Sequence, residues 1–532
     1  MLKRLMIGLA LLCAATGPAL AQDKATLDTR ELLAASTQPD AAIATDYRSG
    51  AYDDQPTFVR VLKAYKRVTA PPIPVRKPVG MNLSGLSWYS SRQTFANLLQ
   101  GGQWNIDWKV IPSDQLDALG YPKTWPATGE VKRLLGAPTG GWVRQTSVAC
   151  TWAGSGGVNY SGGLNVVKGD HKIAFDMPSW NGAVKNTWFG IYGVNNADPF
   201  RDFECHDANP ANATGNEFSK EIIASASKYP VLRFMDWSAT NSSPAITEAN
   251  RPNPRTLDNP GMALENQIRL ATLANADSWI NLSWKADASY IRWAAKQAHD
   301  TIAPGHKAYV ELSNEVWNYQ FWQAQDNLAE AVALNIDPSN KYYGAAKNYS
   351  RRAIEVFKVW EEVFADRPGD LVRVLGTQSA NSEITRQEMN YPGIADHIDA
   401  IAGAPYFNHD YSVQWTPELL RAGIDKTVAQ QKATCDIVRV KKPKALCYTY
   451  EAGQHELVTG AMTYDQLVSL QRSPLMGELY GEYLTKLAAV TDLTMLFNDV
   501  DPITKYGAWG HAEYGGQTDA PKQMAVDRYM AQ

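Results

Sequence analysis

Residues 309–318 read YVELSNEVWN, and the fold of the chain is read outward from this stretch. It opens as a short apolar run suited to a buried strand and ends in Asn314 and Glu315, with Trp317 two positions further on. A carboxyl group carried to the tip of a buried strand, beside an amide and an indole, has the surroundings of a general acid. The plainer reading is that Glu315 caps a helix starting near Tyr319, and an Asn-Glu pair alone decides nothing. A second stretch repeats the layout: residues 445–455, ALCYTYEAGQH, also end an apolar strand on a carboxylate, Glu451.

From residue 229 onward the pattern is strand followed by helix, the signature of a parallel barrel. Strands are predicted at 231–237, 278–284, the opening stretch, 371–378, 398–407, 445–451 and 493–499, with helices at 321–334, 342–364 and 417–434 among the long gaps. A run at 79–86 supplies the first strand and completes eight, with Trp88 and Tyr89 on the loop above it. Between the first two strands, residues 104–208 change period. Short alternating runs such as WVRQTSVACTWAG, HKIAFDMP and TWFGIYGV, broken by glycine, predict an antiparallel β module. The expected fold is therefore a (β/α)8 TIM barrel, residues 78–103 and 209–532, with a β-rich inserted domain at 104–208. Trp152, Trp180 and Trp188 of the insertion suit either a sugar-binding face or its small core.

Residues 1–21 carry Lys3 and Arg4, an apolar run and the small-residue end Ala19-Leu20-Ala21, which predicts a signal peptide cut before Gln22. Residues 22–77 read as a polar segment with one amphipathic helix at 57–68, closed by the proline-rich linker APPIPVRKP. Cleavage leaves Cys150, Cys205, Cys435 and Cys447. In an oxidising compartment these suggest two disulfides in any of three connectivities, nearest-neighbour pairing keeping each bridge in one unit. Net charge is −4 with no long basic run, which argues against a nucleic-acid partner, and no later stretch is apolar long enough to span a bilayer. Seventeen Trp and 25 Tyr offer faces for sugar rings, though aromatic residues fill ordinary cores as well. Oligomeric state is not legible.

Two strand-end carboxylates this far apart in sequence suit a retaining glycosidase, one as acid/base and the other as nucleophile. On these motifs the chain resembles the clan A glycoside hydrolases, whose barrels carry the acid/base after an Asn at the end of strand 4 and the nucleophile at the end of strand 7. Glu315 and Glu451 match those positions. The resemblance implies that Arg233 hydrogen-bonds the nucleophile, that Asn314 donates to the sugar 2-hydroxyl, that Tyr406 holds the nucleophile oxygen and that Trp509 floors the cleavage site. Asp236 with Trp237, and Trp284, are expected to line subsites. His409 and His455 are placed to bond sugar hydroxyls or tune a carboxylate, and a structural role is the alternative for each. Glu311, four residues before Glu315, lies about 13 Å deeper on the same strand face; it needs a partner if it points into the barrel and is the better acid if the register is otherwise. Glu456 reads as a loop carboxylate. The motif departs from the clan pattern in having Val316 and Trp317 where Pro commonly follows the acid.

The expected activity is an exported, retaining hydrolase of β-glycosidic bonds in a poly- or oligosaccharide, with the carboxyls about 5 to 5.5 Å apart and no metal or organic cofactor required. The alternatives are a carbohydrate-binding barrel without turnover and a transglycosylase that remodels an exopolysaccharide.

Overall fold

A computed structural model describes residues 78–87, 90–135, 146–177, 187–209, 212, 214–257 and 261–532. The signal peptide, the 57–68 helix, the proline-rich linker, Trp88, Tyr89 and Trp180 lie outside the described residues.

Eight parallel strands close into a barrel in chain order: β1 (Val79–Asn82), β2 (Val231–Arg233), β3 (Asp277–Leu282), β4 (Ala308–Leu312), β5 (Leu371–Gly376), β6 (Ala400–Gly403), β7 (Leu446–Thr449) and β8 (Leu493–Leu496). Pairing of β1 with β8, Val79 opposite Thr494, closes the ring. Alternation along each strand decides which residues fill the interior. Val231, Trp279, Tyr309, Val374, Ala402, Tyr448 and Met495 form one inner cluster. Their chain neighbours Leu232, Ile280, Val310, Leu375, Ile401 and Leu496 face outward into the layer beneath the helices. The rings of Trp279 and Tyr309 stack inside the barrel, 5.4 Å apart.

Helices α1 (Lys220–Ala226), α2 (Leu264–Leu273), α3 (Ala288–Thr301), α4 (Trp322–Ala333), α5 (Lys341–Val363), α6 (Ser382–Met389), α7 (Pro417–Lys441), α8 (Tyr464–Gln471), α9 (Pro474–Ala488) and α10 (Pro521–Met530) cover the strands. Their starts are written locally. Asp287, Asn340, Thr416 and Thr463 accept backbone N–H groups at helix N-termini, and Pro417, Pro474 and Pro521 open the first turn where no N–H is needed. The strand expected at 398–407 is shorter than its apolar run, so Tyr406 and Phe407 sit in the loop beyond β6.

Between β1 and β2 the chain builds two antiparallel sheets. One has four strands, in the order Arg201–Asp207, Thr146–Ala153, Lys172–Met177 and Leu164–Gly169. The other has five, in the order Lys109–Val110, Gln103–Ile106, Glu130–Leu135, Thr187–Tyr192 and Gly157–Ser161. Trp104, Val131, Val148, Phe175, Phe189 and Phe203 share one core, and Trp152 packs at its edge. Trp188 instead meets the exposed Trp108 edge to face, centroids 5.0 Å apart. Cys150 and Cys205 are opposite each other on paired strands and are bridged, while Cys435 of α7 is bridged to Cys447 of β7. Among the described residues, no helix is long and apolar enough to cross a membrane.

Candidate active site

The chain turns sharply where β4 ends. Ser313 and Glu315 both take left-handed backbone conformations, φ +65° and +42°. Residues other than glycine and asparagine rarely adopt these, and they do so where surrounding structure imposes them. Helix α4 begins later, with Phe321 at its N-cap and no side-chain cap, so Glu315 does not cap it. The Glu315 carboxyl accepts from Asn318 Nδ2 at 3.0 Å and from Tyr450 Oη at 3.3 Å. Burial, followed by the charge of Glu451, pushes its pKa up to about 8 despite these two donors.

Glu451 follows β7 and is surrounded differently. Arg233 Nη1 donates to its Oε1 at 3.0 Å and Tyr406 Oη to its Oε2 at 2.9 Å. Burial raises its proton affinity above the ordinary carboxylate range, against the pull of Arg233 and Tyr406. Arg233 and Tyr406 both lower that pKa, as a cation and a donor must, and desolvation is the larger effect in a site only 5% exposed. Arg233 also donates to Asn82, Asn314 and Glu311, each at 2.9 Å, with a second bond to Glu311 at 3.0 Å. Glu311 is thus partnered inside the barrel rather than free to act at the mouth. Burial alone would lower the Arg233 pKa, but Glu311 and Glu451 outweigh it and raise it.

Asn314 accepts from Arg233 and donates to Asn241 Oδ1 at 3.0 Å, which fixes its amide next to Glu315. Trp509 is buried against Met235 and Phe497, with Tyr406 and Leu457 packed on the same cluster. Gly507, at φ +156°, has room for no side chain, since a Cβ there would lie 2.1 Å from the Trp509 ring. His455 sits between the rings of Tyr406 and Trp509, at 5.7 and 5.6 Å, and meets Tyr411 Oη at 3.0 Å through Nδ1. Burial lowers its pKa to about 4, leaving a neutral imidazole at neutral pH. Asp236, half-buried beyond β2, accepts the Gly85 N–H. Burial, then the charges of Glu451 and Asp501, bring it up to about 7.

Three expectations are corrected. Trp284 is not at the mouth; it packs with Ile280, Leu282 and Ile291 between the barrel and its helices. Trp237 is buried in the outer layer with Phe218 and Phe234 and donates Nε1 to the Ser84 carbonyl. His409 and Glu456 form a sealed pair, Nδ1 to Oε2 at 2.6 Å with both side chains fully buried, so His409 is committed to a structural pair and not to the site, while Glu456 lies in the loop after β7 as expected. The sequence reading missed Tyr450 and Asn318, which donate to Glu315, and Asn82, Asn241 and Asp501, which act on Arg233, Asn314 and Asp236 in turn. Tyr450 and Asn318 stood within or beside the two quoted motifs; Asn82, Asn241 and Asp501 carried no local signal.

No family model matches the sequence, and no curated protein does. Among solved structures the chain is similar to a β-glucosidase from Thermotoga maritima in complex with castanospermine, at 12% identity and TM-score 0.34 over 58% of this chain and 85% of that one. It is similar to a Cellulomonas fimi endo-β-1,4-mannanase, at 12% identity and TM-score 0.34 over 57% and 63%. A 4-O-α-L-rhamnosyl-β-D-glucuronidase from Fusarium oxysporum gives 13% identity and TM-score 0.36 over 59% and 63%. The fold itself, a closed, eight-stranded parallel barrel with helices around it, is the (β/α)8 TIM barrel expected from the sequence.

Proposed function

We propose that the chain is an exported retaining glycoside hydrolase that cleaves β-glycosidic bonds of a poly- or oligosaccharide by double displacement. The observation that carries this reading is the unequal treatment of two buried carboxyls. Glu451 receives a cation and a phenol, whereas Glu315 receives only an amide and a weak phenol contact. When the pair shares one proton, Glu315 keeps it and Glu451 carries the charge. Glu315 then protonates the leaving oxygen while Glu451 attacks the anomeric carbon. The deprotonated Glu315 next takes a proton from the water that releases the glycosyl-enzyme. Asn314 and Asp236 are assigned to sugar hydroxyls, Trp509 to the sugar face, and His455 to a hydroxyl as a neutral partner. The catalytic barrel is assigned to residues 78–103 and 209–532 and the inserted module to 104–208. Export, to the periplasm or beyond, follows from the N-terminal sequence and agrees with two formed disulfides.

The test is hydrolysis of a panel of β-glucans, xylans, mannans and bacterial exopolysaccharides, with anomeric configuration followed by proton NMR. Wild type releases product of retained configuration on at least one substrate. Glu315→Gln and Glu451→Gln each lose turnover by about 100-fold or more and still bind. Inverted product would refute double displacement. Binding of a glycan without cleavage by wild type would leave the carbohydrate-binding alternative in its place.

A further inference from the structure

We propose that Glu311 is a positioning residue that sets how strongly Arg233 acts on Glu451, by holding the guanidinium from below. The inference rests on reading Glu451 as the nucleophile, and it adds a third carboxylate to the two that do the chemistry. A guanidinium has five N–H groups, and those of Arg233 are all engaged. Nε and one Nη2 hydrogen go to the two oxygens of Glu311, the paired geometry that best satisfies both groups. The others go singly to Asn314 Oδ1, Asn82 Oδ1 and Glu451 Oε1. The cation therefore makes two bonds to the carboxylate inside the barrel and one to the carboxylate at the mouth.

Glu311 is itself held rigidly. Its Oε2 also receives Trp279 Nε1 and Asn281 Nδ2, each at 2.8 Å. Its Oε1 is 3.1 Å from where a Cβ on Gly376 would stand, so glycine at that place in β5 leaves the carboxylate its space. The side chain is 1% exposed, which keeps water from screening the pair.

The groups facing Glu451 are Arg233 from β2, Asp236 beyond it, Glu311 of β4, Glu315 after β4, Tyr406 after β6 and Tyr450 beside it in the chain. Arg233 is the one cation in this set. Removing the Glu311 charge leaves that cation uncompensated next to Glu451 and takes away a like charge that opposes its ionisation. Both effects pull the Glu451 pKa down. Glu315 feels Arg233 only as the smallest of its influences, so its own ionisation changes little.

The experiment is a carboxyl-carbon NMR titration of the full chain, with the Glu451 signal assigned by its loss in Glu451→Gln. In Glu311→Gln the Glu451 midpoint is expected to fall by about one pH unit or more. Glu311→Asp keeps the charge and is expected to stay nearer wild type. An unchanged or higher midpoint in the Gln variant overturns the proposal. Should that variant not fold, Trp279→Phe decides: it takes a donor from Glu311 and leaves that carboxylate a stronger hold on Arg233, so the Glu451 midpoint is expected to rise, and an unchanged or lower midpoint overturns the proposal. The titration needs no turnover, so absence of hydrolysis would count against the glycosidase reading and leave this result standing.

Discussion

At the scale of single residues, the candidate pair is an arrangement of donors. Arg233 and Tyr406 both stabilise the charged form of Glu451, and neither donates to Glu315. The proposed mechanism needs Glu451 ionised and Glu315 protonated, so on that mechanism the rate rises as pH passes the Glu451 pKa and falls as pH passes that of Glu315. The alkaline limb of kcat/KM is therefore expected near pH 8, the value to which burial and Glu451 bring Glu315. Tyr406→Phe removes a donor that lowers the Glu451 pKa, so the acid limb should move to higher pH while the alkaline limb stays. A lost hydrogen bond to a charged group is worth about 1.5 to 3 kcal/mol, which corresponds to a fall in kcat/KM of roughly 10- to 100-fold. A variant whose acid limb stays in place would show that the Tyr406 hydroxyl does not act on Glu451. Both glutamates were legible in the sequence because each ends an apolar run. Arg233 and Tyr406 were expected beside Glu451 from the resemblance, whereas the partners of Glu315 were not legible, because Tyr450 and Asn318 become its neighbours only after two left-handed residues have turned the chain.

Elements explain both the success and the error in reading the barrel. Alternation in β3 places Trp279 and Asn281 inward, where they donate to Glu311, and Ile280 and Leu282 outward. Trp284 continues the outward parity, and counting by two from Ile280 would have taken it out of the binding site. Position at a strand end was the wrong guide; the face of the strand was the right one. The same parity puts Tyr309 and Glu311 inside with Arg233 and Val231, so the depth of Glu311 was legible but the two hydrogen bonds it accepts from Arg233 were not. Trp284→Ala should then behave as a core truncation, destabilising by about 3 to 5 kcal/mol. Glycan affinity of the folded fraction should be unchanged, measured by calorimetry beside a urea unfolding curve. A loss of affinity with unchanged stability would return Trp284 to a subsite. The inserted module was legible for the same reason, since period-two runs and glycine turns are local, whereas the edge-to-face meeting of Trp108 and Trp188 joins two strands that sequence does not connect.

Across the whole molecule, several carboxyls share the condition of Glu315. Burial, as the leading cause, brings Asp236, Glu265 and Asp501 up to about 7 and Glu388 well above the ordinary range. Each holds its proton in the folded state at a pH where the unfolded chain, with carboxyl pKa values near 4, has released it. Their contribution to stability is complete below about pH 4 and is lost as pH rises through the folded values. Two histidines act in the opposite sense. His455 and His511 are lowered to about 4 and about 3 by burial, so their contribution is lost as pH falls below about 6.5. Lys522, lowered to about 7 by burial, adds stability as pH rises above that value. Between about pH 6.5 and 7 only the carboxyls are still changing, so this is where stability should fall most clearly with pH. Glu388 isolates the effect, because it is 1% exposed and lies on α6, away from the residues assigned to catalysis. Glu388→Gln carries no ionisable proton there, so its melting temperature should gain on wild type as pH rises from 5 to 8. Parallel curves for the two proteins would mean that the Glu388 carboxyl titrates alike in the folded and unfolded chain, and that burial at this position does not hold its proton.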